Sequence, residues 1–144
     1  LKIMLLDAIS YLNSILLGSM LFFVIIVSPT VFTSLSSDQA SKFLRLIFPR
    51  LFLFGLALSL LTALGYIVSA LYIEMFLALF ASILFFLNRN ILTPLINYHR
   101  DKEIEGDIKS KNYFKLLHLL SVSFFVINLF ILVFFLLDNT YNFV

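Results

Sequence analysis

Four long apolar runs, separated by short polar segments, dominate the sequence. An α-helix rises about 1.5 Å per residue, so a run of about 20 apolar residues crosses the ~30 Å hydrocarbon core of a bilayer. The pattern therefore predicts an all-α integral membrane protein, built as an antiparallel four-helix transmembrane bundle. The predicted spans cover residues 8–32, 50–72, 75–92 and 113–137.

The segment between the first two spans, residues 36–48, is too short to cross a membrane and has its own pattern. Ser36 and Gln39 have the spacing of a capping box, which marks the start of a helix. The apolar positions then recur at helical spacing, at Ala40, Phe43, Leu44 and Ile47. This pattern predicts a short amphipathic helix in the membrane interface, with basic side chains toward lipid phosphates. An ordinary connecting loop is the alternative.

The composition agrees with a membrane location. Of 144 residues, 62% are hydrophobic and 12% are charged, and the mean hydropathy is +1.08. A soluble domain is about half apolar and about a quarter charged, so we expect the lipid bilayer to surround this chain. No long linker interrupts residues 1–144, which predicts a single domain. The polar segments mix both signs of charge and do not predict a nucleic-acid site.

The distribution of Lys and Arg predicts the orientation. Four spans place both termini and the turn near residue 73 on one side of the membrane. Of the ten Lys and Arg residues, only Lys2 lies on that side. Because these residues concentrate on the cytoplasmic side, we expect segments 33–49 and 93–112 to be cytoplasmic and both termini to lie outside. We expect this membrane to be the bacterial cytoplasmic membrane.

Several polar residues lie inside the predicted spans. Ser121 and Asn128 lie about 20° apart on the wheel of span four, and His118 shares their broad face. Polar groups in hydrocarbon need partners, so we expect this face to point into the bundle, where Asn13 of span one is a candidate partner. Interhelical hydrogen bonds and a small-ligand site are both open interpretations. Arg89, near the end of span three, either reaches the lipid headgroups or binds an anionic group between helices.

Small residues spaced four apart let helices approach closely. Ser14 and Gly18 form such a pair on span one, and Gly55, Ser59 and Ala63 form a longer stripe on span two. We predict that these residues mediate helix packing.

The candidate chemistry is limited. The sequence has no cysteine, and His118 and His99 are its only histidines. Imidazole binds haem iron, copper and zinc, so these two residues are the candidate metal ligands, although His99 is also interpretable as a loop residue. No paired carboxylates or glycine-rich phosphate loop occur within the spans. We predict no catalytic residues and no cofactor, with haem or copper at His118 as the alternative.

Four motifs are distributed along the chain in order. They are Ser28-Pro29-x-Val31-Phe32, Phe48-Pro49-Arg50, Asn90-x-x-x-Pro94, and Phe114-x-x-x-His118-x-x-Ser121-Val122 with Asn128. Together they resemble the transmembrane-protein-205-like family, whose defining domain is the domain of unknown function 4149. The resemblance implies a small four-span membrane protein and no particular mechanism. Fainter resemblances to the copper-resistance D and membrane protoporphyrinogen oxidase families imply metal or haem.

Three functions remain open on the sequence. The first is a non-enzymatic accessory or small-solute-handling bundle. The second is a haem- or metal-binding redox protein that uses His118. The third is a small oligomeric channel or transporter, which needs a polar path lined by Asn13, Thr62, His118 and Asn128. A homo-oligomer and a subunit of a larger membrane complex are both compatible with the sequence.

Overall fold

The computed structural model describes residues 2–141, and their side chains as far as Asp138. These residues form helices and short turns, with no strand among them. In chain order the helical segments are α1 (Lys2–Phe22), a π-helical segment (Phe23–Val27), α2 (Ser28–Ser34), α3 (Ser37–Ser69), α4 (Tyr72–Leu87), a second π-helical segment (Asn88–Leu92), α5 (Thr93–Ile104) and α6 (Ile108–Tyr141).

The segments join into four spans that are long and apolar enough to cross a membrane. Spans one to four are Lys2–Ser34, Ser37–Ser69, Tyr72–Ile104 and Ile108–Asp138. Spans two and four each pack against spans one and three, so the four helices form a closed ring. The buried side chains at its centre include Leu16, Met20, Phe52, Phe85 and Phe135. The predicted antiparallel four-helix bundle is confirmed.

The separate interfacial helix predicted over residues 36–48 is not observed. The capping box is present, because Ser36 Oγ accepts from the Gln39 N–H at 3.4 Å and the Gln39 side chain accepts from the Ser36 N–H at 3.2 Å. The helix that begins there, however, continues through Pro49 to Ser69. Of its apolar stripe, Ala40 is buried, Leu44 and Ile47 are half-buried and Phe43 is exposed. The next turn packs within the protein, since Phe48 contacts Phe23 with ring centroids 5.1 Å apart.

Both π-helical segments end two residues before a proline, at Pro29 and at Pro94. Proline has no N–H to donate to the preceding turn, and a π-helical segment shifts the hydrogen-bond register by one residue. Spans one and three therefore continue past their prolines, to Ser34 and Ile104. The predicted loops 33–49 and 93–112 shrink to the short connections between spans.

The small residues of span two pack against both neighbours. A Cβ built on Gly55 would lie 2.6 Å from the Phe85 ring of span three, and one on Gly65 would lie 2.6 Å from Ile9 of span one. Ser82 Oγ of span three donates to Ser59 Oγ at 2.9 Å. Ala63 is buried on the same helix. Span two therefore makes close contacts with both neighbours at its small residues.

Ser14 and Gly18 of span one differ from this pattern. Both are exposed, and a Cβ built on Gly18 would have no atom within 4 Å. The Ser14 hydroxyl donates to the carbonyl of Ser10 on its own helix. The prediction that this pair mediates packing is wrong for the helices of this chain, because the pair lies on the outer surface of the bundle.

Candidate ligand-binding cavity

A cavity of about 710 Å³ lies at the Lys- and Arg-rich end of the bundle. All four spans contribute to its walls. Most of the lining is apolar, and the larger apolar side chains are Phe23, Phe32, Leu35, Leu44, Phe48, Phe52, Ile96, Phe114 and Phe125. The cationic or basic side chains in the lining are Arg45, Arg100 and His118. The cavity therefore combines a large apolar wall with a few basic groups.

Arg45 of span two and Arg100 of span three both line the cavity. Arg45 donates to Asp101 through both terminal nitrogens, with Nη1 3.1 Å from Oδ2, and this ion pair joins span two to span three. Arg100 Nη1 lies 2.7 Å from Glu103 Oε2, and its guanidinium carbon lies 5.3 Å from the centre of the Phe114 ring. Each cavity arginine is thus held by one carboxylate of span three.

His118 and Ser121, which the sequence placed on the polar face of span four, both line the cavity. The His118 ring is exposed and stacks on Phe114, with centroids 5.9 Å apart and planes 11° apart. Ser121 is buried, and its backbone carbonyl accepts from Asn88 Nδ2 at 3.2 Å. The structure therefore brings two of the five candidate polar residues to one site.

His99 lies outside the cavity lining and joins span three to span four. Ser110 Oγ donates to Asp107 Oδ2 at 2.8 Å, so the contact of Ser110 Oγ with His99 Nδ1 at 3.0 Å requires Nδ1 to carry a hydrogen and donate. The hydrogen bond from Ser110 holds the pKa of Asp107 below its ordinary value. The His99 ring also stacks on Tyr113, with centroids 5.1 Å apart. These contacts give His99 a role in joining spans three and four.

The predicted metal site at His118 and His99 has no supporting cluster of ligands among the described residues. Within residues 2–141 no group of three or more His, Cys, Asp or Glu side chains is placed to hold a metal ion. Haem or copper binding through His118 stays a prediction.

The remaining candidates, Asn13, Arg89 and Asn128, do not line the cavity. Asn13 connects spans one and two: its Nδ2 donates to the Tyr66 hydroxyl at 3.3 Å, and its Oδ1 accepts from the Thr62 hydroxyl at 3.1 Å. Arg89 Nη1 donates to Asn90 Oδ1 at 2.9 Å. The candidate polar residues, which the sequence grouped in the bundle core, therefore do not form one site.

Asn128 is the least satisfied of these side chains. It is 0% exposed, and neither its Oδ1 nor its Nδ2 has a hydrogen-bond partner among the described residues. Most buried polar atoms in proteins are paired, so Asn128 is an exception in the core of this bundle.

Three residues near the site escape the sequence reasoning. Asn88 is fully buried, and its backbone carbonyl accepts from the Thr93 hydroxyl at 2.7 Å. The sequence did not predict a buried position for Asn88, because span three was expected to end nearby, at residue 92. Arg45 was predicted only as a basic side chain of the interfacial helix directed toward lipid phosphates, and Arg100 only as a charge of a polar segment. The available signal was helical spacing: Arg45 lies three residues before Phe48, and Arg100 lies four residues after Ile96, so each arginine shares a helix face with an apolar residue of the cavity wall.

Comparison with known proteins gives the family. Residues 11–105 match the family described as Domain of unknown function (DUF4149), a match that includes spans two and three up to Ile104 and leaves span four outside. No curated protein and no solved structure matches the chain. Because the match covers more than half of the sequence, this four-span protein belongs to the DUF4149 family.

Proposed function

We propose that this protein is a non-enzymatic membrane protein that binds a small amphipathic ligand in the cavity. The cavity itself carries the proposal. Small-molecule sites are typically concave, roughly 300–1,000 Å³ in volume, and mainly apolar with a few placed polar groups. The observed cavity of about 710 Å³, with Arg45, Arg100 and His118 among its lining residues, has these properties.

The position of the cavity along the bundle supports an amphipathic ligand. From Arg50 to the end of span two at Ser69 is about 20 residues, or ~30 Å, which matches the hydrocarbon thickness. The turns before Arg50 then extend beyond the hydrocarbon. Span two lines the cavity from Ser37 to Phe52, on both sides of Arg50. A ligand in the cavity would therefore have one end at the depth of the acyl chains and the other at the depth of the headgroups.

The cavity supports binding more than conduction. A channel or transporter needs a polar path through the whole bundle, and Asn13, Thr62 and Asn128 were its predicted lining. None of these three lines the cavity, although His118 does. Asn13 and Thr62 are instead hydrogen-bonded to each other.

Binding is testable with a single fluorescent reporter, because the chain contains no tryptophan. Phe48→Trp places an indole in the apolar wall, and Phe130→Trp places one on span four at a site that is 71% exposed and outside the cavity. In lipid nanodiscs, we expect a brominated single-chain amphiphile to quench the Phe48→Trp variant saturably at a low mole fraction. The Phe130→Trp variant should be quenched in proportion to the amphiphile in the bilayer. The same proportional quenching in both variants would contradict a binding site.

We further propose that the cavity opens toward the cytoplasm of a bacterial cell. The Lys- and Arg-rich end of the bundle holds the cavity, and Lys and Arg mark the cytoplasmic side. A fluorescent protein that matures only in the cytoplasm should therefore be dark when fused to the C-terminus, and a periplasm-dependent phosphatase fused there should be active. The reverse pair of signals would show the opposite orientation.

A further inference from the structure

We propose that the ligand carries an anionic headgroup, which binds Arg45 and Arg100 at the cavity rim and displaces the Asp101 carboxylate from Arg45. This inference rests on the proposed function, because it specifies the ligand of that same cavity. The ligand class is a single-chain amphiphile with a carboxylate or phosphate head.

The charge of the lining supports an anion. Arg45 and Arg100 both line the cavity, whereas the described lining residues include no Asp or Glu. The carboxylates that pair with the two arginines, Asp101 and Glu103, therefore lie outside the wall. A group inside the cavity is therefore adjacent to two arginines and to no carboxylate of the lining. A cationic headgroup would meet two arginines and no carboxylate of the lining. A neutral headgroup would gain hydrogen bonds but no charge pairing.

The guanidinium geometry allows an oxyanion to bind. Arginine has five N–H donors in a planar fork that matches carboxylate and phosphate oxygens. Asp101 occupies two terminal nitrogens of Arg45, and Glu103 occupies one of Arg100. Both arginines therefore have donors left for a second acceptor. An oxyanion that binds Arg45 end-on, through both terminal nitrogens, uses the same two nitrogens as Asp101 and replaces it. Glu103 is able to remain in place.

The Arg45–Asp101 pair is placed for such an exchange. The Asp101 side chain is 55% exposed and the Arg45 side chain is 31% exposed, so the carboxylate is the more solvated partner. Exposed ion pairs contribute little to stability, and a displaced Asp101 regains its hydration. In the absence of ligand, Asp101 occupies both terminal nitrogens of Arg45. It therefore acts as a built-in competitor of the ligand's headgroup.

The apolar wall fixes the direction of the chain. Phe48 and Phe52 follow Arg45 by about one and two turns of α3, at ~5 Å per turn, toward the centre of the bundle. Phe125 of span four lines the same deep part and is buried. A headgroup on Arg45 therefore directs the hydrocarbon chain along Phe48 toward Phe52. This is the orientation that lipids of the adjacent leaflet would have.

The experiment compares an acid and an alcohol with the same chain. Dibromostearate and dibromostearyl alcohol are titrated into nanodiscs that hold the Phe48→Trp variant, at alkaline pH where the acid is ionised. A charge-assisted hydrogen bond lost from a binding site weakens binding by about tenfold or more, so the acid should half-saturate the quenching at about a tenfold lower mole fraction. A matching brominated alkyl phosphate should behave like the acid. A preference for only one of the two anions would assign the head as carboxylate or phosphate.

Three charge variants in the same background test the exchange. Arg45→Gln should remove most of the preference for the acid. Asp101→Asn should tighten binding of the acid severalfold and leave the alcohol unchanged. Asp38→Asn removes the same charge from the Lys42–Asp38 pair, which lies within α3 and outside the cavity lining, and it should change the binding of neither ligand. Thermal melting of each variant checks that the fold is kept.

The outcomes separate the two proposals. Saturable quenching with equal half-saturation by the acid, the phosphate and the alcohol would overturn the anionic headgroup and keep the ligand-binding function. Absence of saturable quenching by any of them would overturn the proposed function itself. If Asp101→Asn weakens binding of the acid, Asp101 supports the headgroup site and does not compete with it. That result would overturn the exchange.

Discussion

Replacing Gly55 by alanine should destabilise the bundle by about 1–3 kcal/mol, the usual range for adding a methyl group to a well-packed core. The new Cβ would lie 2.6 Å from Cε1 and Cζ of Phe85, a distance that real Cβ atoms do not adopt. The Phe85 ring is 1% exposed and belongs to the central cluster, so it has no free space to enter. The Phe85 ring or the two spans must therefore shift.

Gly18→Ala is the matched control, since it makes the same change in span one. A Cβ at Gly18 has no atom within 4 Å. Its effect should stay within about 0.5 kcal/mol, or favour the helix by up to ~1 kcal/mol through the higher helix propensity of alanine. Thermal unfolding of the two variants in one detergent, followed by circular dichroism, measures the difference. Equal melting temperatures for both variants would show that Gly55 does not set the distance between spans two and three.

The two glycines also show what the sequence was able to specify. Both follow the same rule of small residues four apart, yet only the stripe containing Gly55 meets another helix of this chain. Spacing identifies residues that share a helix face. It does not identify the face that a neighbouring helix covers, because that depends on the rotation of each helix in the ring. The stripe on span two was the longer one, and its length was the distinguishing signal.

The number of spans followed from the sequence because the bilayer fixes the length of an apolar run. The ends of the spans did not. The predicted spans ended near Pro29 and Pro94 and began next to Pro49, but all three prolines lie within continuous spans. In transmembrane helices, local π-helical adjustments and neighbouring groups satisfy the carbonyls that proline leaves unpaired. The π-helical segments before Pro29 and Pro94 are adjustments of this kind.

The same misplacement of helix ends concealed half of the candidate site. His118 and Ser121 were recognised because polar residues within a span attract attention. Arg45 was assigned to an interfacial helix and Arg100 to a polar segment, where charges need no explanation. Once spans two and three extend past the hydrocarbon, these arginines become wall residues of a cavity at the headgroup depth. The site thus depends on helix continuity, which local sequence patterns do not reveal.

Asn128→Leu should raise the stability of the bundle by about 1–3 kcal/mol, the cost of burying an amide without partners. Asn128 is 0% exposed, and both of its amide atoms lack a partner among the described residues. Leucine has a similar size and no polar atom to satisfy. The stabilised variant also provides a test of the cavity. Since Asn128 does not line the cavity, ligand binding by the Phe48→Trp reporter should be unchanged in this variant.

Asn13→Leu makes the same substitution at a paired asparagine and should have the opposite sign. It removes the acceptor of the Thr62 hydroxyl and the donor to the Tyr66 hydroxyl, both across the interface of spans one and two. Interhelical hydrogen bonds in membranes contribute about 0.6 kcal/mol on average and up to ~1.7 kcal/mol, so we expect a loss in that range. Thermal unfolding of both variants in one detergent gives the two signs. A loss of stability in Asn128→Leu equal to that in Asn13→Leu would mean that the Asn128 amide is hydrogen-bonded in the membrane, and the predicted gain would be wrong.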